Sequence, residues 1–163
     1  MNNQELIKKV QDKAQIHKQE EIIEEEKIRY LIFRIEDNHY AFPSIQVREI
    51  NIGSQVFYIP FVPEYIRGLI NRHGNPYTVF DLLLLFEGKT LNGEKFLIMN
   101  LVNDHVAFLI SDVVEILSIP KSKIHNVQTD QVEYFKSSFT AHEKEVFIID
   151  IESLLERLSH DLQ

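Results

Sequence analysis

From Tyr30 onward apolar residues tend to alternate with others, and the pattern is written twice. Tyr30-Leu31-Ile32-Phe33-Arg34-Ile35 reads as a strand with one face better buried than the other. Glu36-Asp37-Asn38-His39 has turn chemistry, and Tyr40-Ala41-Phe42 returns as a second strand, so the segment predicts a β-hairpin. Residues 30–50 align without gaps on residues 96–116. Leu31, Ile32, His39, Ala41, Phe42, Val47, Glu49 and Ile50 recur as Leu97, Ile98, His105, Ala107, Phe108, Val113, Glu115 and Ile116. The second copy predicts a twin hairpin over 96–101 and 106–110. Further on, Val79-Phe80-Asp81-Leu82 is answered by Ile148-Ile149-Asp150-Ile151. Two copies are too few for an open solenoid, so the repeat predicts two small barrels or sheets packed on each other.

Between these hairpins the pattern is broken by turn residues. Residues 44–50 are expected to begin as a helical turn and become extended. Residues 51–64 read as loop, with Gly53, Pro60 and Pro63, and Pro63 is placed to open a short helical turn over 63–68. A second hairpin is expected from 68–71 and 77–80, turning on His73-Gly74-Asn75-Pro76. Asp81 is positioned to cap a short turn over 82–86, and 87–94, with Gly88 and Gly93, reads as the linker between units of about 30–90 and 91–150. The clearest helix is the last, about 150–161. Asp150 is its N-cap, and Ile151, Leu154, Leu155, Leu158 and Leu162 form one apolar stripe that should pack on a barrel. The first 29 residues differ in kind. Leu6, Val10, Lys13/Ala14 and His17 give only a thin helical stripe, and the charge run 20–27 predicts a solvated helix or tether.

Composition narrows the function classes. The chain has 163 residues, 44% of them hydrophobic, enough for a packed core. Its net charge of −8 and lack of a Lys/Arg cluster argue against a nucleic-acid binder, which needs a basic face. There is no cysteine, hence no disulfide, thiol nucleophile or thiolate metal site. The N-terminus is not expected to be a signal peptide, and the longest apolar run, 82–86, is far short of the ~20 residues that cross a bilayer. A cytoplasmic protein without direct membrane insertion is expected.

No catalytic pattern has convincing spacing. Phosphate-binding glycine loops, nucleophile elbows and H-E-x-x-H motifs are absent, and the seven histidines lack metal-ligand spacing. His39 and His105 hold equivalent hairpin positions and read as turn-edge residues. Asp81 and Asp150 are also repeat-equivalent, and capping is favoured over acid–base chemistry for both. No enzyme, cofactor or metal role is expected.

Ile59-Pro60-Phe61-Val62-Pro63, followed by Ile66-x-Gly68-x-x-Asn71-x-x-Gly74 and Asp81-Leu82, resembles the CheW family of chemotaxis coupling proteins. The likeness extends over about 29–160: the opening hairpin and Val47-x-Glu49-Ile50, the second hairpin with Glu115-Ile116-Leu117-Ser118-Ile119-Pro120, and the close at Asp150 before a Leu-rich helix. The resemblance implies a mostly β fold of two tandem, intertwined five-stranded SH3-like barrels spanning 30–162, with short helical turns, a C-terminal helix and a helical or flexible extension over 1–29. It implies a non-enzymatic adaptor that couples the cytoplasmic tips of chemoreceptors to the regulatory domain of a CheA-type histidine kinase. An adaptor for another kinase pathway of motility or differentiation is the alternative. By the same resemblance, the receptor groove would involve Val47, Glu49, Gly68, Asn71, Arg72, His73 and Gly74. Here the chain departs from the family's Asn-x-Arg-Gly, because His73 stands where the arginine is usual. Histidine offers two ring nitrogens and titrates near neutrality, whereas arginine offers a planar, permanently charged fork. Arg72 is adjacent, but alternation of strand side chains points it to the other face unless the turn rotates it.

Overall fold

The computed structural model describes residues 2–22, 25–128 and 134–161; the side chains of 14–22 and all of Leu162 lie outside the described residues, so the expected stripes at Ala14, His17 and Leu162 do too. In chain order the elements are helix α1 (Asn3–Ile22), strands β1 (Lys27–Ile35) and β2 (Asn38–Pro43), a 3-10 turn (Ser44–Gln46), β3 (Val47–Ile52), β4 (Ile66–Arg72), β5 (Asn75–Asp81), helix α2 (Leu82–Glu87), β6 (Lys95–Met99), β7 (Val106–Ile110), β8 (Asp112–Pro120), a 3-10 turn (Lys121–Lys123), β9 (His125–Asn126), β10 (Phe135–Ala141), β11 (Lys144–Ile149) and helix α3 (Ile151–Asp161).

The strands form two sheets that have traded hairpins. One is ordered β8-β1-β2-β11-β10-β9 and the other β3-β6-β7-β5-β4. Hairpin β1–β2 thus lies among strands of the second repeat, and hairpin β6–β7 among strands of the first. The two sheets share their registers. Leu31 faces Phe42 as Leu97 faces Phe108, Ile32 faces Glu115 as Ile98 faces Glu49, and Ala41 runs parallel to Ile148 as Ala107 does to Val79. Even the irregularities match, with one register shift between Ile66 and Gly68 and another between Phe135 and Ser137. One sheet has the five expected strands, and the other carries the two-residue β9 on its edge as a sixth.

This exchange explains why the hairpin strands are apolar on both faces. Tyr30, Leu31, Ile32 and Phe33 are all buried, as are Phe96 to Met99 and Val106 to Ile110, so the expected difference between faces is lost there. In β1, Leu31, Phe33 and Ile35 join the main core, while Tyr30 and Ile32 face a smaller one with Phe139, Val146 and Ile148. A strand with a core on each side reads as a continuous apolar run. At the junction of the sheets, Phe42 and its repeat partner Phe108 stack with ring centroids 5.4 Å apart, both fully buried.

Several local expectations are corrected. β1 begins at Lys27, earlier than the change of pattern at Tyr30, because Lys27, Ile28 and Arg29 continue the ladder with β8 up to Pro120. The 63–68 segment is one hydrogen-bonded turn, Ile66 N–H donating to Pro63 O at 3.0 Å, and then strand. The β4–β5 turn is tighter than expected: Arg72 faces Asn75 across a two-residue loop of His73 and Gly74, with φ of 50° and 82°. Positive φ at both loop positions is the twist-matched hairpin turn. Its counterpart, His142 and Glu143, has φ of 50° and 64° without any glycine.

Both capping expectations hold. Asp81 accepts from Leu84 N–H at 3.1 Å at the start of α2, and Asp150 accepts from Ser153 N–H at 3.4 Å and its hydroxyl at 3.0 Å at the start of α3. Ile151, Leu154 and Leu158 of α3 are buried in the main core. Asp81 does more than cap. It is fully buried, receives Arg67 Nη1 at 2.9 Å, and holds the 88–94 connection by accepting from Leu91 N–H at 2.9 Å. Replacing Asp81 by Ala leaves buried donors unpaired and is expected to cost about 3 kcal/mol, whereas Asp150→Ala, at a more exposed cap, should cost about 1 kcal/mol. Urea denaturation of both variants measures the difference, and equal losses would contradict this account of Asp81.

Candidate functional site

The two outer strands of the five-stranded sheet, β3 and β4, are brought together by the sheet's curl. Glu49 on β3 and Arg72 on β4 clasp across the gap, Arg72 Nε donating to Glu49 Oε1 and Nη2 to Oε2 at 2.7 Å. A bidentate guanidinium–carboxylate pair is the strong form of this interaction. It holds the Glu49 carboxyl below the usual carboxylate range, through the hydrogen bonds from Arg72 against a smaller opposing effect of burial. The loop that follows β3 also meets β4, where Phe57 and Leu69 exchange two backbone hydrogen bonds of 2.8 Å. That approach requires Gly68. Its φ is 142°, and a Cβ there would lie 2.1 Å from Phe57 O. At the end of β4, Asn71 Oδ1 accepts from Gly74 N–H at 2.9 Å, fixing the turn from which exposed His73 projects.

The other sheet repeats the arrangement with different chemistry. Glu115 of β8, the repeat partner of Glu49, meets His142 Nε2 at 2.5 Å, and His142 stands where His73 stands in the first turn. The Arg67–Asp81 pair is answered by Lys136 and Asp150, 3.0 Å apart. Burial pushes the Asp150 carboxyl up, but hydrogen bonds from Lys136 and Ser153 outweigh it and the net direction is down.

Of the residues singled out in the sequence, the structure gathers Glu49, Arg72 and the Asn71–Gly74 turn, with Gly68 on the same strand as Arg72. Val47 is half-buried against the main core. Arg72 points toward Glu49 across the sheet edges, while His73 faces solvent. Sequence reasoning missed Arg67 as the partly exposed partner of buried Asp81. The signal was available, because Arg67 and Lys136 are both cations at the same repeat position. It also missed Arg48, which donates to Asn100 Oδ1 at 3.1 Å between β3 and the β6–β7 connection. Among the described residues, no group of three or more His, Asp or Glu could hold a metal ion, and no helix is long and apolar enough to cross a membrane.

Two barrel-like sheets with exchanged hairpins, edges clasped by charged pairs, and a polar turn beside one clasp define a paired-barrel module that presents surfaces. Residues 29–159 match the family model for the CheW-like domain, and the chain belongs to that family. It is 25% identical over 133 residues to the chemotaxis protein CheW of Klebsiella aerogenes, covering 77% of this chain and 80% of that protein. It is 29% identical over 133 residues to the chemotaxis protein CheW of Helicobacter pylori, covering 78% and 79%. Its fold matches the crystal structure of the scaffolding protein TtCheW from Thermoanaerobacter tengcongensis with a TM-score of 0.69, at 22% identity, over 77% of this chain and 90% of that one.

The clasp has a pH signature. A carboxyl whose folded pKa is depressed contributes stability above its unfolded pKa, and that contribution disappears as pH falls through the folded value. Glu49→Gln should therefore lower stability at neutral pH, with the deficit relative to the parent shrinking as pH drops below the usual glutamate range. Urea unfolding from pH 7 to pH 3 tests this, and a deficit independent of pH would exclude an ionic contribution from the clasp.

Proposed function

We propose that this protein is a non-enzymatic chemotaxis adaptor, which couples the cytoplasmic tips of chemoreceptors to the regulatory domain of a CheA-type histidine kinase in a cytoplasmic array. The observation that carries the reading is the family match along residues 29–159. It is supported by relatives whose whole length is largely covered and which are described as chemotaxis proteins. The receptor would be met by the surface built around Val47, Glu49, Gly68, Asn71, Arg72, His73 and Gly74. The physical support is preorganisation. Glu49 and Arg72 hold each other, the turn is fixed by Asn71, and the backbone at Gly68 is locked against Phe57, so little ordering entropy remains to be lost on binding.

His73 favours a second, narrower reading, in which the receptor contact is retuned relative to the family. The turn tip offers an imidazole where a guanidinium is usual, and Arg72 does not replace it because its fork is already committed to Glu49. A scaffold for a different kinase pathway would use the same surfaces and is separated from the leading reading by partner identity alone.

Calorimetric titration of the protein into a kinase regulatory domain, with and without a receptor-tip fragment, should give micromolar binding to each. Binding to neither would remove the adaptor reading. His73→Arg is expected to raise affinity for typical receptor tips at least threefold and to leave kinase affinity unchanged. The absence of any gain across several receptors would show that His73 does not tune this contact.

A further inference from the structure

The Arg67–Asp81 pair binds a peptide group of its own chain. Asp81 Oδ2 accepts from Leu91 N–H at 2.9 Å, and Arg67 Nη1 donates to Leu91 O at 3.3 Å. The Leu91 side chain is buried in the main core, while Lys89, Thr90, Asn92, Gly93 and Glu94 around it are exposed. The connection 88–94 is thus a non-helical segment with one apolar anchor. A carboxylate and a cation hold that anchor residue by its own N–H and C=O.

The second repeat carries the same groups without such a segment. Lys136 and Asp150 stand where Arg67 and Asp81 stand, and Ile148 stands where Val79 does. The chain turns back at Gly88 after the short α2, whereas α3 runs on to Asp161. Beside Lys136 and Asp150 opens a cavity of about 270 Å³, lined also by Pro43, Ile148, Ile149, Ile151 and Glu152. Gln46 lines it too, and among the described residues no donor reaches its buried Oε1. A buried acceptor without a donor is a cost that a docked N–H removes. The Ser153 hydroxyl donates to Asp150 Oδ2 at 3.0 Å, at the oxygen that takes Leu91 N–H in the first repeat. A hydroxyl rotates and can yield that position.

We propose that this cavity docks an extended segment of a partner protein in the way the first repeat docks residues 88–94. A leucine-like side chain enters among Pro43, Ile148 and Ile151. Its N–H donates to Asp150, its C=O accepts from Lys136, and a further donor of the segment reaches Gln46 Oε1. Main-chain hydrogen bonds then give the affinity, and the cavity selects the side chain. Asp150 and Glu152 against Lys136 leave the lining net negative, so the segment is neutral or basic and carries no phosphate. The site is separate from the Asn71–Gly74 surface and holds whether or not the adaptor reading does.

The test is an NMR titration of the isotopically labelled full chain with a capped peptide of residues 88–94, Gly-Lys-Thr-Leu-Asn-Gly-Glu. Amide shifts at Gln46, Lys136, Ser137 and Asp150 to Ser153 should saturate in the millimolar range, because a free peptide loses its flexibility on docking. The Leu91→Ala form of the peptide should bind roughly fivefold more weakly or worse. In the protein, Lys136→Glu should weaken binding to a similar degree. Lys136→Arg restores the fork found at Arg67 and should strengthen binding about threefold. The absence of saturable shifts at these positions overturns the proposal, as does equal binding of the Leu91→Ala peptide or of Lys136→Glu. Shifts centred on Arg67, Asp81 and Leu91 would mean exchange with the chain's own segment and also overturn it. Shifts at the cavity that grow with protein concentration alone assign it to a second copy instead.

Discussion

The contact on which the architecture turns is the stack of Phe42 on Phe108. These are the same position in the two repeats, one on β2 and one on β7, and they meet ring to ring at 5.4 Å where the sheets pack. Burying each ring contributes roughly 1.5–3 kcal/mol, and the ring–ring geometry adds about 0.5–1.5 kcal/mol. Their larger consequence is topological. Each ring sits on a hairpin that pairs with strands of the other repeat, so the stack joins the two exchanged hairpins. Neither repeat can then complete a sheet by itself. The two halves fold as one cooperative unit, and much of that unit rests on pairings between strands distant in sequence, which form slowly.

Given that exchange, the differences between the halves become informative, because the fold tolerates either version. The inner pairs, Arg67–Asp81 and Lys136–Asp150, keep one charge pattern, yet Asp81 is sealed and ties down the connection at Leu91 while Asp150 stays within reach of solvent. The outer clasps diverge further. Glu49 is held by a guanidinium that carries its charge at every physiological pH, and Glu115 by an imidazole that does so only when protonated. The first sheet edge is thus held by a two-pronged clasp and the second by a single contact. The Glu49–Arg72 clasp lies beside the Asn71–Gly74 turn.

The gapless agreement of 30–50 with 96–116 made the duplication legible, and with it the twin hairpins, their shared register and both aspartate caps. The exchange of hairpins was not legible from the repeat itself and entered only through the family resemblance. Alternation along a strand reports that a face is buried but not which repeat buries it. The start of β1 was misplaced because Lys27 and Arg29 look like the end of a charge run, and their strand character comes from β8 alongside. Alternation put Arg72 and His73 on different faces, and the structure keeps them apart, the guanidinium on Glu49 and the imidazole in solvent. Alternation could not supply the partner, because Glu49 lies on β3, at the far edge of the sheet.

The separation of Arg72 from His73 bears on how the turn is to be understood. If the family's arginine at the His73 position served chiefly to brace the sheet, its loss would have to be made good nearby, and Arg72 clasping Glu49 supplies such a brace from the neighbouring position. If the arginine served chiefly a partner, nothing internal would replace it, and an exposed group of different chemistry would be left at the tip. The structure shows both a brace at Arg72 and a bare imidazole at His73. Bracing and exposure are thus divided between adjacent residues. Such a division lets the tip change without loosening the barrel.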